Sequence, residues 1–164
     1  MSRAFIKEPD GDQEEAPLLE RPISPHPNYV TPRGLSLLKA KVEQLQAERD
    51  AIKTAPDLAA RSRLPQVERD LRYFQRRLWD AIEVHPPMSS ETPEVRFGSS
   101  VEMVDAQGRR YRYRLVGEDE ADAGQGLISW ISPLAKALMG NGVGAEVYWR
   151  KPSGELAVTI VKID

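Results

Sequence analysis

Two stretches of the chain carry the same apolar rhythm. Leu35, Leu38, Val42, Leu45 and Ile52 are spaced alternately by three and four, with Arg49 in the one skipped slot. Leu64, Val67, Leu71, Phe74, Leu78 and Ala81 repeat the pattern. Such spacing marks a narrow heptad seam rather than the broad stripe of a surface helix. Two heptad helices with a short break between them are expected to fold back as an antiparallel coiled-coil hairpin over residues 29–85. Thr31 and Pro32 supply an N-cap and a first helical residue. Pro56 ends the first helix, Pro65 falls in the first turn of the second, and His85-Pro-Pro closes it. Thr54–Pro65 is then the tip, with Asp57 and Ser62 as candidate caps.

From Arg96 the period changes from helical to two. Tyr111, Tyr113 and Leu115 alternate with Arg110, Arg112 and Arg114 in the second of two strands around Ala106-Gln107-Gly108. "LISWI" predicts a short strand. Ser132-Pro133 opens a short helix, "PLAKALMG", that Gly140 and Gly142 stop. "AEVYWR" and "ELAVTIVKI" predict two more strands joined at Pro152-Ser153-Gly154. The expected class is α+β: the hairpin, a linker at 86–94, and a small strand-rich domain with one short helix at 95–164. Residues 1–28 differ in kind, being proline-rich and acidic, and read as a disordered tail.

Composition narrows the function. The chain has 164 residues, 40% of them apolar, and a net charge of −2, so nothing global draws it onto nucleic acid or an anionic membrane. It contains no cysteine, which removes thiol nucleophiles and zinc–cysteine sites. No apolar run is long enough to span a bilayer, and the N-terminus lacks the order of a signal peptide, so a cytoplasmic protein is expected. His26 and His85 lie far apart in proline-rich loops and form no catalytic pair. No catalytic constellation, metal site or cofactor site is evident, and the reading is of a non-enzyme.

The C-terminal domain resembles that of the bacterial Gre transcription factors. The matching marks are Phe97-Gly98, Val116-Gly117 before the acidic "EDEAD" loop, and Ile128-Ser129 shortly before Ser132-Pro133. Ala135, Ala137-Leu138, Val143-Gly144 and Pro152-Ser153-Gly154 follow. "YVTPRGLSLLKAKVEQL" is similar to the start of the Gre hairpin. The resemblance covers about residues 29 to 163 and implies an FK506-binding-protein-like domain that docks on the rim of the RNA polymerase secondary channel. The hairpin would enter that channel, where acidic tip residues of the family help hold a magnesium ion and a water so that the polymerase cleaves backtracked RNA.

On that comparison Ser132, Pro133, Lys136, Asp119 and Glu120 are the expected polymerase-binding residues. Ile131 stands where the family commonly carries Asp or Asn. The acidic residues Glu118, Asp119, Glu120 and Asp122 admit a second reading, as a loop kept solvated. At the tip the family has an Asp with a Glu soon after. This chain offers Asp57 alone, followed by Arg61 and Arg63, with no further carboxylate until Glu68. Cationic neighbours compete with a metal ion, so this is a poor magnesium ligand set. Asp57 is most simply a helix cap. The hairpin also lacks about fifteen residues relative to the family, which removes on the order of 10 Å of reach at 1.5 Å per residue. Arg61, Arg63, Arg69, Arg72, Arg76 and Arg77 form either a basic face or a solvated one interleaved with acids.

The expected function is a monomeric Gre-like factor that binds RNA polymerase and modulates elongation without efficient cleavage stimulation. It would touch nascent RNA or DNA only inside that complex. The alternatives are an active cleavage factor, and a peptidyl-prolyl isomerase or binding module on the FK506-binding fold.

Overall fold

A computed structural model describes residues 17–86 and 94–164. Strand β1 (Asn28–Val30) leads into helix α1 (Pro32–Thr54), a short helix α2 (Leu58–Arg61), helix α3 (Leu64–Trp79) and strand β2 (Ala81–Glu83). The second half holds β3 (Ser100–Asp105), β4 (Arg110–Val116), one 3-10 turn at Ala123–Gln125, β5 (Leu127–Ser129), helix α4 (Pro133–Leu138), β6 (Glu146–Lys151) and β7 (Gly154–Ile163).

α1 and α3 pack along the two seams read from the sequence. Val42, Leu45, Ile52, Val67 and Leu71 are buried together, with Leu64, Phe74 and Leu78 packed around them. The helices run in opposite directions: Lys53 near the end of α1 pairs with Glu68 near the start of α3. Thr31 caps α1 as expected, its hydroxyl accepting the Gly34 N–H at 2.9 Å.

Three expectations are corrected here. The second helix stops at Trp79 rather than continuing to residue 85, because residues 81–83 leave it to pair in parallel with β1. Val84 extends that ladder by donating to the Val30 carbonyl at 2.8 Å. The tip is not a bare turn, since α2 occupies it. Part of the expected flexible tail also lies against the helices: the Arg21 guanidinium sits 3.9 Å from the Tyr73 ring centroid and reaches Asp70 at 3.6 Å. A cation over an aromatic face contributes about 0.5–1 kcal/mol against the ordering entropy of this segment. Most of that tail, residues 1–16, and most of the expected linker, residues 87–93, lie outside the described residues.

The strands form one five-stranded sheet in the order β5-β4-β3-β7-β6. All neighbouring pairs are antiparallel except β4 and β5, which the 117–126 connection places in parallel. A register shift at Glu102/Met103 bends β3 against β7. One face of the sheet packs on α4: Met103, Leu115, Leu138, Val158 and Ile160 are all fully buried. Each such side chain contributes about 1.5–3 kcal/mol through apolar burial. Ser132 caps α4 by accepting the Ala135 N–H at 3.3 Å. Trp130 and Ile131, read as the end of a strand, instead form the turn that delivers Ser132 to this cap.

Candidate functional site

The tip is built from the break between α1 and α3. Asp57 has extended backbone geometry, and its carboxylate accepts the Ala59 N–H at 2.9 Å, capping α2. Ser62 follows α2 and donates to the Ala59 carbonyl at 2.7 Å, so it caps no N-terminus. Arg63 pairs with Glu48 across the helices, and the Arg61 Nε donates to the Ala55 carbonyl at 3.0 Å. Leu58 projects into solvent, 80% exposed. The tip surface is therefore apolar and cationic, with its one carboxylate engaged by the backbone. Of the acids flanking the tip, Glu48 and Glu68 are held by Arg63 and Lys53, and Asp50 pairs with Arg49. Among the described residues no cluster of His, Asp and Glu side chains is arranged to hold a metal ion.

The six arginines considered as a basic face are mostly engaged. Besides Arg63, Arg69 pairs with Asp70, Arg72 with Glu20 and Arg76 with Asp80. Arg77 is the exception in kind: only 2% exposed, it points into the base of the helix pair.

The acidic loop converges on that base. Asp119 accepts from the Arg77 Nε at 2.6 Å and from the Tyr73 hydroxyl at 2.7 Å. Glu118 lies 3.4 Å from the same guanidinium. Glu120 accepts from the Thr31 hydroxyl at 2.6 Å and from Arg33 at 3.0 Å. These carboxylates face the helices rather than solvent. Burial works against the Arg77 cation, but its hydrogen bond to Asp119 and the negative charge of that carboxylate outweigh burial and raise its pKa above the usual guanidinium range. Tyr73 is pushed up to about 12, first by burial and then by its hydrogen bond to the Asp119 carboxylate. Asn28, Thr31, Tyr73 and Arg77 were not singled out as partners of the loop by sequence. The one available signal was an arginine beside, rather than on the solvent side of, the second seam.

Ser132, Pro133 and Lys136 lie together at the start of α4. Pro133 and Lys136 line a groove of about 510 Å³ together with Ala137 of α4, Asn141 beyond it, and Tyr148 and Arg150 of the neighbouring edge strand β6.

The domain described as transcription elongation factor GreA/GreB, C-terminal, matches residues 90–164. The transcription elongation factor GreB of Neisseria meningitidis serogroup A is 34% identical to this chain, over 84% of this chain and 96% of its own length. The chain belongs to the GreA/GreB family of transcription elongation factors. A GreA of Alkalilimnicola ehrlichii is 38% identical over 64% of this chain and 67% of that protein. Similar solved structures include a GreA/GreB factor from Nitrosomonas europaea, with a TM-score of 0.41 and 21% identity over 84% of this chain and 98% of that one. GreA factor homolog 1 of Thermus thermophilus has a TM-score of 0.40 and 23% identity over 85% of this chain and 99% of that one. The GreB match is 157 positions long yet takes in only 84% of the 164 residues here, so some matched positions of that relative have no counterpart in this Gre-family chain. Among the described residues, no helix is long and apolar enough to cross a membrane.

Proposed function

We propose that this Gre-family chain binds RNA polymerase at the rim of the secondary channel, in the cytoplasm and as a monomer, and lowers its helical hairpin into the channel. There it modulates elongation by occupancy rather than by efficient stimulation of transcript cleavage. The FK506-binding-like sheet domain is the docking part, with Ser132, Pro133 and Lys136 at the contact and the β6 groove beside them. Contact with nascent RNA or DNA arises only within that complex.

The observation that carries the non-cleaving reading is the donor set of the tip. Phosphodiester hydrolysis assisted by a second cation needs carboxylates that are free to ligate it. At this tip the single carboxylate, Asp57, gives one oxygen to the Ala59 N–H, and its neighbours Arg61 and Arg63 are cations that compete with a metal ion. These residues do not fit a shared magnesium ion, and no step is assigned to one.

The test is RNA cleavage in a stalled, backtracked elongation complex with and without the protein, alongside a pull-down on core polymerase with a genuine Gre factor as competitor. Competed binding with little added cleavage is the expected result. Robust cleavage would restore the chain to the active cleavage factors, and no binding by residues 94–164 would remove the docking assignment.

A further inference from the structure

We infer that the Gly117–Glu120 loop and the base of the helix pair form a stiff joint that sets the hairpin's direction before any partner is met, with Arg77 as its central positioning residue. The joint itself is independent of the proposed function; its consequence for the polymerase rests on that reading.

A buried charge is retained only where its donors are met, and Arg77 is met from two separate segments. Its guanidinium donates to the Asn28 side-chain oxygen at 2.7 Å and to Asp119 at 2.6 Å, with Glu118 at 3.4 Å. The Asn28 amide donates back to the Arg77 carbonyl at 2.7 Å, so β1, the last turn of α3 and the loop close one network. Tyr73, one turn earlier on the same face, takes the second oxygen of Asp119.

The other helix is gripped by the next residue of the same loop. Glu120 receives the Thr31 hydroxyl while the Thr31 oxygen accepts the Gly34 N–H, so one side chain both caps α1 and holds the loop. The carboxylate also faces the positive end of the α1 dipole. A single anchor would leave a pivot. Consecutive loop residues fixed to two adjacent helices, whose axes lie about 8–10 Å apart, remove it. Backbone packing closes the remaining space: a Cβ on Gly117 would stand 2.4 Å from the Tyr29 carbonyl oxygen. The Tyr29 ring is wedged between Phe97 and Trp130, at centroid distances of 5.9 and 5.1 Å.

Direction matters because the lever is long. α1 has 23 residues, roughly 34 Å, so a 15° swing at the base displaces the tip by about 9 Å. A shortened hairpin that acts by occupying a channel depends on its aim.

The chain contains no cysteine, which allows clean labelling. Spin labels at Ser62→Cys on the tip and Ser153→Cys on the far turn of the sheet report the angle as a distance distribution in the free, full-length protein. A single narrow distribution is expected, at least twofold broader in Arg77→Met and in the milder, shape-preserving Glu120→Gln. A distribution already broad in the parent, or unchanged width in folded variants, overturns the joint. In the polymerase arm, Arg77→Met, at a side chain only 2% exposed, should keep affinity for core polymerase within about threefold while its effect on elongation falls severalfold. Narrow parent and broad variants without any polymerase binding would uphold the joint and overturn the functional reading alone.

Discussion

The Gly117 Cα lies so close to Tyr29 that a methyl group there would meet the Tyr29 carbonyl oxygen at 2.4 Å. The backbone of Gly117 does not lie in the left-handed region, so the requirement is for space and not for conformational freedom. Both contacting groups belong to backbone, and neither can swing aside. Gly117→Ala should therefore cost about 2–3 kcal/mol, as overpacking of a fixed contact does, read as a lower denaturant midpoint. A midpoint equal to the parent's would show that loop and helix base are not packed as described.

Tyr73 gives the junction a signature in alkali. Its pKa rises from 10.0 to about 12 because it is partly buried and because it donates to a carboxylate that repels a phenolate. The folded chain thus holds this proton more tightly than the unfolded chain does. Its stabilising contribution is complete below pH 10 and is lost as the pH climbs toward 12. Spectrophotometric titration should show one tyrosine ionising last, and Tyr73→Phe should delete that step. If the last step persists in Tyr73→Phe, the hydrogen bond to Asp119 is not what raises it.

The helices, their seams and the strands of the second domain were legible because each is written in a local period: three-four for α1 and α3, two for β3, β4, β6 and β7. The caps Thr31 and Ser132 were legible for the same reason, being neighbours of the groups they satisfy. What was not legible is set by partners distant in sequence. β1 and β2 are three residues each and exist only because 28–30 and 81–83 meet. The roles of Glu118, Asp119 and Glu120 could not be read from an acidic run, since an exposed loop and an anchored one have the same composition. Only the position of Arg77, 42 residues away from Asp119, decides between them. The tip divides in the same way. Its poverty in carboxylates was plain from sequence, whereas α2, a helix of four residues, was too short to leave a period.

The segment before β1 offers a third test. Composition alone predicts that its removal is neutral, but Arg21 lies over Tyr73, near Phe74 at 5.1 Å and close to Asp70. Arg21→Ala should cost about 1 kcal/mol, and Arg21→Lys should recover only part of it because the planar guanidinium stacks where an ammonium does not. Equal stability of all three proteins in equilibrium unfolding would return this segment to a solvated tail.

Asp57 separates capping from metal chemistry through the choice of substitution. As a cap it is an acceptor for the Ala59 N–H, and asparagine serves that purpose about as well as aspartate. As a metal ligand its charge would be indispensable, and loss of a metal-holding carboxylate costs several kcal/mol of transition-state stabilisation, hence orders of magnitude in rate. Asp57→Asn should therefore leave both stability and behaviour in backtracked complexes unchanged. Asp57→Ala should speed amide hydrogen exchange at Leu58–Arg61 and cost about 1 kcal/mol at most, since α2 is exposed and can fray without opening the α1–α3 seam. Cleavage activity that is present in the parent, absent in Asp57→Asn and absent in Asp57→Ala would mean that the carboxylate leaves its cap to bind a cation, and the non-cleaving reading would fall.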